Sequence, residues 1–282
     1  MLIQVGATAQ VLSRRPVSLP QNFSVIRHDF GSDDELSVKV TQPVDAVVHM
    51  AHAMGSSREE QMAFAIKSTQ GLLDYAISHQ VKTFVLVSSL SVIDLAALPA
   101  LAMVDNNTHR LVEGGHLPPY VAAKLAQELL VEHAASESGI KAVILRPGLI
   151  YDDSVMSTSC AGLFKGGLQI AISHEGQIPL VSARRTAEQI LKAVVSFNAF
   201  ALDTRLVLDE HPWSMQNYRD ALIERRHIKS NVVAVPWWMM NFIGSCAEMF
   251  ANSFNYRKQL PDLFIQPSRS ARLKPLMYWP VT

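Results

Sequence analysis

The chain has 282 residues, 49% of them hydrophobic and 18% charged, which is enough apolar material for a full core and too much for intrinsic disorder. Its 25 Lys and Arg balance 25 Asp and Glu, so no net field draws it to nucleic acid or to an anionic membrane. The two cysteines, Cys160 and Cys246, lie far apart with no C-x-x-C or Cys/His cluster near them; this argues against a disulfide framework and a zinc site, and reads as two buried free thiols.

The opening MLIQVGATAQVLSRRP lacks the charged segment and long apolar run of a signal peptide, which predicts a cytoplasmic protein. Short β-branched runs predict strands at Val11–Ser13, Ser24–Arg27, Ala46–Met50, Phe84–Val87 and Ala142–Leu145. Between them Met62, Ile66, Thr69, Leu73 and Ala76 recur at helical spacing and should share one buried face. A second helix should start behind Pro118-Pro119 and run from about Tyr120 to Ala135, burying Leu125, Leu129 and Leu130; a third should cover Ala187–Phe197. The runs VVHM and FVLV are continuously apolar, as strands buried on both faces require, so the expected class is α/β with a doubly wound parallel sheet. After Tyr151 the texture changes. Gly166-Gly167, a short strand at Arg205–Leu208, a helix from Met215 to Arg225 with Ser214 as N-cap, and an apolar helix after Pro236 follow. The apolar stretch Val232–Phe250 contains Asn241, Ser245 and Glu248, so it reads as packed protein and not as a membrane span. Trp237, Trp238, Met239 and Phe242 within it read first as core or domain contact, and second as an apolar substrate wall.

Ser88-Ser89 closes the strand FVLV, and in an open α/β sheet ligands bind beyond the carboxyl ends of the strands. Tyr120 and Lys124, four apart at a helix start, share one face and can act on one substrate atom. A Tyr-x-x-x-Lys pair alone arises readily by chance; here it stands between a strand ending in Ser-Ser and the strand AVILRPG. His49 and His52 have no Asp, Glu or Cys at ligand spacing and read as packing or cofactor-lining residues, so no metal is expected.

Through VLSRRP, SVIRHDF, VDAVVHMAH, VKTFVLVSSLSV, YVAAK and AVILRPGLIY, from about Val11 to Val207, the sequence resembles the extended short-chain dehydrogenase/reductase family, of the NAD-dependent epimerase/dehydratase and 3β-hydroxysteroid dehydrogenase type. The resemblance implies a Rossmann-like fold in which Tyr120 is the general acid/base, Lys124 lowers its pKa and holds the nicotinamide ribose, and Ser89 orients the substrate oxygen, with Ser91 as the fallback hydroxyl. The chemistry agrees: a phenol of pKa about 10 is a poor base at neutral pH until a nearby ammonium favours its anion. Hydride transfer itself would belong to the nicotinamide. The resemblance also implies that Asp29 and Phe30 contact adenine, that Ala51 and His52 line the dinucleotide, and that Pro147 lies beside the nicotinamide. Arg14 and Arg15 stand where an acidic residue would select NAD; a guanidinium there suits a 2′-phosphate, so NADP(H) is favoured over NAD(H).

The implied organisation is a dinucleotide-binding domain over 1–150 plus about 181–210, and a substrate-binding region over about 151–180 and 211–282. The family opens with a strand, a glycine-rich turn and a helix, whereas only a few residues separate Gly6 from VLSRRP. The expectation is an incomplete first unit with about 20 residues absent upstream, two strands with unpaired edges, and weak dinucleotide binding. Ala65 stands where the family has an asparagine that anchors the active-site backbone. The expected function is an NAD(P)-dependent oxidoreductase acting on a carbonyl or secondary alcohol of an apolar or sterol-like molecule, with a homodimer as assembly. The alternatives are a sugar-nucleotide epimerase or dehydratase, and a non-catalytic dinucleotide-sensing or assembly protein.

Overall fold

The computed structural model describes residues 6–20, 23–30, 36–53, 57–112, 117–152, 163–165, 168–173, 175–195, 202–226, 231–239, 242 and 274–278. Its elements begin with β1 (Ala9–Ser13), β2 (Phe23–Arg27), α1 (Leu36–Lys39), β3 (Ala46–His49), α2 (Arg58–Ser78), β4 (Thr83–Val87), β5 (Met103–Val104), α3 (Pro119–Ser138), β6 (Lys141–Pro147) and β7 (Leu149–Tyr151). There follow β8 (Leu163–Lys165), β9 (Leu168–Ser173), β10 (Gln177–Ile178), β11 (Leu180–Ser182), α4 (Ala183–Val195), β12 (Leu202–Val207), β13 (Trp213–Ser214), α5 (Met215–Arg226), β14 (Asn231–Pro236) and β15 (Met277–Tyr278). Two compact units divide them: Met1–Val92, Arg110–Gly148 and Ala183–Val207 form the first, and Ile93–His109, Leu149–Ser182 and Leu208–Thr282 the second.

In the first unit β12, β6, β4 and β3 lie in that order in an all-parallel sheet. Phe84 and Leu86 of β4, Ala142 and Ile144 of β6 and Val47 of β3 pack in one core with Leu72, Leu73, Tyr75 and Ala76 of α2 and Val131 and Ala135 of α3. Successive strand residues point to opposite faces. Val85, Val143 and Leu145 therefore face the other way; they too are buried, and α4 packs on β4 and β6. Helices on both faces explain why these strands read as unbroken apolar runs. β1 and β2 form a separate parallel pair, and Leu12 and Ile26 pack on the same core as Val47. Among the described residues β1 pairs with β2 alone and β3 with β4 alone.

The helices start and stop where side chains satisfy their ends. Ser57 caps α2 in a reciprocal capping box, its Oγ accepting from Glu60 N (3.2 Å) while its own N–H donates to Glu60 Oε2 (3.1 Å). Pro119 opens α3 with φ already set for a helix, and Gly139 ends it at φ 70°, a conformation that favours glycine. Ser214 Oγ accepts from Asn217 N (3.1 Å) at the start of α5, the N-cap the sequence predicts. The face of α2 differs from the expected stripe. Thr69, Leu73 and Ala76 are buried, but Met62 is half-buried and Ile66 is 45% exposed; Gln61, Ala65, Ser68 and Leu72 complete the buried face instead. The reason is chemical: Ser68 and Thr69 return their hydroxyls to the Ala65 carbonyl (3.4 and 2.6 Å), so small polar residues enter the core already hydrogen-bonded. In α3 Leu125 is buried, while Leu129 and Leu130 are half-buried. The helix expected from Ala187 begins earlier, at Ala183.

In the second unit β11 pairs with β7, β10 with β13, β14 with β9, β9 with β8 and β15 with β5. Ile178, Leu180, Met215, Tyr218 and Leu222 form its core. Asp209 gathers three donors, Tyr151 Oη (2.7 Å), Trp213 Nε1 (3.0 Å) and Ser182 N (2.9 Å). Trp238 and Phe242 are each 66% exposed, so they are not the core residues their hydrophobicity predicts. Residues 237–239 and 242 are helical; the rest of the helix expected after Pro236 lies outside the described residues, as do Gly166-Gly167, Cys160, Cys246 and the predicted helix end at Phe197.

Gly176 has no room for a side chain, because a β-carbon there would stand 2.5 Å from Pro275 Cα and 2.6 Å from Leu276 N, both backbone. The close approach seats the segment 274–278, where Gln177 N donates to Leu276 O (2.8 Å) and Tyr278 N to Gln177 Oε1 (2.7 Å). Gly176→Ala is expected to destabilise this unit by about 1–3 kcal/mol, the usual cost of overpacking. Urea denaturation followed by tryptophan fluorescence measures it, and an unchanged midpoint would show that the segment is not held there.

Candidate active site

All the strands of the four-stranded sheet run the same way, so their carboxyl ends lie along one edge. Three connections leave that edge: Ala51 and His52 after β3, Ser88 and Ser89 after β4, and Gly148 after β6, whose last residue is Pro147. Pro118 and Pro119 start α3 so that Tyr120 falls in its first turn and Lys124 one turn on. Arg58 Nη1 donates to the Leu117 carbonyl, tying the start of α2 to the approach to α3.

Lys124 is the best-defined member of the group. Only 3% exposed, its ammonium donates to Val87 O at 2.8 Å, the carbonyl just before Ser88-Ser89. Burial brings its pKa down to about 8, opposed by the carboxylate of Glu128 one turn along α3. Tyr120 is half-buried and its ring meets that of His52 nearly at right angles (85°), centroids 4.7 Å apart. Ser89 Oγ accepts from Ser91 Oγ (2.9 Å) and from Ser91 N (3.2 Å), so the two candidate hydroxyls form one pair. Ser88 is buried, and its Oγ has no hydrogen-bond partner among the described residues.

One turn on from Lys124 along α3 lies a set of charges. Glu128, fully buried, accepts from Arg146 Nε (3.0 Å) and Nη2 (2.7 Å) and from Arg110 Nη1 (3.4 Å). Arg110 also forks onto Glu132, with 2.7 Å for Nη2 to Oε2. Arg146 of the predicted Arg-Pro-Gly thus serves α3, not the edge of the sheet. The sequence reading missed Glu128, Arg110 and Gln127. The signal available was polar residues at 120, 124, 127 and 128, spaced to share a face of an otherwise apolar helix.

The expected adenine end is assembled differently from the acid/base group. Ser13 Oγ bonds the backbone of Arg15 in a tight turn after β1. Arg14 and Arg15 are exposed, and the Arg14 guanidinium lies 5.5 Å from the centroid of the Phe64 ring. Phe64 meets Phe30 edge to face at 6.2 Å, and Phe30 meets His28 at 4.6 Å. Asp29 is exposed beside them.

His49 ends β3 fully enclosed, its Nε2 2.9 Å from both Thr69 Oγ1 and Gln127 Nε2. Burial, with a smaller push from Lys124, lowers its pKa to about 3; the same two causes lower that of His52. A histidine held neutral in the fold but free to protonate when unfolded stabilises the protein above pH 6.5. That contribution is lost as the pH falls from 6.5 towards 3, at up to about 1.4 kcal/mol per pH unit. Urea denaturation at pH 7 and pH 4.5 should therefore show a smaller acid loss in His49→Gln than in the wild type; equal losses would contradict a neutral buried His49. Among the described residues no group of three or more His, Cys, Asp or Glu could hold a metal ion, and no helix is long and apolar enough to cross a membrane.

A family model described as male sterility protein, an NAD-binding family, matches residues 24–196, more than half of the chain. The chain belongs to this family. It is thereby an extended short-chain dehydrogenase/reductase, and the male sterility protein match spans β2 to the end of α4, with every acid/base candidate inside it. Arg14 and Arg15 lie outside it. No curated protein matches the sequence. Among solved structures, gox2253 is similar over 98% of this chain and 83% of its own, with 18% identity and a TM-score of 0.70. MoeE5, in complex with UDP-glucuronic acid and NAD, is similar over 83% and 79% (17% identity, TM-score 0.62). UDP-N-acetylglucosamine 4-epimerase from Bacillus cereus is similar over 83% and 78% (17% identity, TM-score 0.61). At these identities the likeness is one of fold, and it agrees with the doubly wound α/β class read from the sequence.

Proposed function

We propose that the protein is an NAD(P)-dependent oxidoreductase that interconverts a carbonyl and a secondary alcohol, with Tyr120 as acid/base, Lys124 beside it and Ser89 at the substrate oxygen. The observation that carries this reading is the placement of Tyr120 and Lys124 on one face of α3, with the Lys124 ammonium bonded to the last carbonyl of β4. The residues present fit a dinucleotide: His52 Nδ1 is buried without a hydrogen-bond partner among the described residues, and Lys124 supplies a cation at the same sheet edge. Ala51, His52, Pro147, Tyr120 and Lys124 would hold its nicotinamide half, and Asp29, Phe30, Arg14 and Arg15 its adenine half. When bound, the nicotinamide supplies or accepts the hydride. In the reductive direction Tyr120 Oη gives its proton to the carbonyl oxygen, and the ammonium of Lys124 steadies the phenolate that remains. The Ser89 hydroxyl donates to the same oxygen and fixes it before transfer.

NADP(H) is preferred in this reading, because two guanidiniums follow β1 and can pair with a 2′-phosphate. The NAD complexes among the structural neighbours support the dinucleotide and not the preference. Replacing Arg14 and Arg15 together with Ala is expected to weaken NADPH about tenfold or more beyond any loss for NADH, since a hydrogen bond to a charged group contributes about 1.5–3 kcal/mol. Fluorescence titration measures both, and an equal loss would make these arginines general surface charge.

The second unit would serve as the substrate-binding region, and its aromatic residues favour an apolar or sterol-like molecule; a cytoplasmic homodimer completes the reading. The competing reading, a sugar-nucleotide epimerase or dehydratase, draws support from the UDP-sugar complexes among the neighbours. Assays of NADPH consumption with apolar aldehydes and ketones, run beside assays of UDP-sugar interconversion, separate the two. Turnover of the carbonyls upholds the proposal, and turnover of UDP-sugars alone replaces it with the second reading. A purified chain that binds dinucleotide and turns over neither class would be the non-catalytic binder.

A further inference from the structure

Residues 120, 124 and 127 of α3 share a face, since positions three and four apart in a helix lie one above another. The first two are the acid/base candidates, whereas Gln127 is fully buried and has no part in that chemistry. Its amide nitrogen lies 2.9 Å from His49 Nε2 and donates to the Ala51 carbonyl at 3.5 Å. His49 is the last residue of β3 and Ala51 lies two beyond it. One amide thus reaches from the helix that carries Tyr120 to the connection that carries His52. Thr69 Oγ1 of α2 lies 2.9 Å from the same His49 nitrogen and 2.6 Å from Ala65 O, so its one hydroxyl proton serves one of these two acceptors at a time. Buried polar groups persist where their hydrogen bonds are made. The N–H groups of Gln127 run to the residues just before His52, whose ring packs edge to face with Tyr120, while its Oε1 is buried with no hydrogen-bond partner among the described residues.

We propose that Gln127 is a positioning residue of this site: by holding His49 and the Ala51 backbone it sets the connection after β3 so that His52 braces the ring of Tyr120. The inference rests on reading Tyr120 as the acid/base, and it gives the phenol a second fixed neighbour besides Lys124. It also supplies a cross-tie between helix and loop in a chain that has Ala65 in α2. A glutamine that merely fills the core would change stability and leave the two rings as they are.

The experiment follows the imidazole signals of His52 by nuclear magnetic resonance in the full chain labelled at histidine. Tyr120→Leu defines where those signals fall without the phenol ring. Gln127→Leu keeps the bulk and loses the amide; its His52 signals are expected to move towards the Tyr120→Leu positions, and its affinity for NADPH to fall about tenfold, the scale of one or two neutral hydrogen bonds. Gln127→Asn, shorter by one methylene, should move them the same way by less, and decides the matter if the leucine variant does not fold. His52 signals unchanged in the folded variants, whatever happens to the melting temperature, would overturn the proposal. Should the wild type bind neither NADPH nor NADH while the Gln127 variants still move His52, the brace stands and the dinucleotide reading falls.

Discussion

Tyr120→Phe is expected to reduce turnover about 10²- to 10⁴-fold, the usual share of a positioned acid/base, while the melting temperature and dinucleotide affinity stay near those of the wild type. The substitution removes a single hydroxyl. The ring that packs with His52 remains, so the local structure has no reason to change. Steady-state rates on any substrate the wild type turns over provide the check. A Phe variant with comparable rates would remove Tyr120 from the chemistry and leave the α3 face as a binding surface.

The second large effect is structural. Glu128→Gln keeps the shape of the side chain but removes the charge that two guanidiniums share, leaving Arg146 buried and unbalanced. Breaking a buried pair in this way typically costs about 3–5 kcal/mol, because the remaining charge has lost its compensation and cannot return to water. Urea denaturation of Glu128→Gln should show a loss of that size. The double replacement Glu128→Leu with Arg146→Met should recover much of it, since an apolar pair needs no compensation. A single variant within about 1 kcal/mol of the wild type would mean that water already reaches the pair. Glu128 also opposes the burial of Lys124, so its loss should lower the Lys124 pKa further.

The strands of the first unit were legible because burial on both faces leaves a continuous apolar run, as in FVLV of β4, which lies between β6 and β3. Tyr120 and Lys124 were legible for a related reason, since helical spacing and a double proline fix their face and their place near the helix start. On α2 the stripe holds at Thr69, Leu73 and Ala76 and fails at Ile66, because hydrophobicity alone does not decide which residues the core admits. Ser68 returns its hydroxyl to the Ala65 carbonyl and is buried, while Ile66 lies on the surface. Long-range pairs left no sign. Nothing in the order of residues says that Arg146 turns to Glu128, or that Gln127 reaches back 76 positions to the carbonyl of Ala51. The tryptophan-rich run after Pro236 departs in the same sense, because hydrophobicity alone does not tell a core from an exposed surface.

In the proposed function the face of α3 bearing Tyr120 and Lys124 lies against a bound nicotinamide dinucleotide at the carboxyl edge of the sheet. This placement is tested most directly by titrating NADPH and NADH, through their fluorescence, against the wild type and Lys124→Ala. Saturable binding by the wild type and a loss of about tenfold or more in the variant are expected, since the substitution removes an ammonium placed to hold a ribose hydroxyl. Binding of equal strength in both proteins, or none in the wild type, would contradict it.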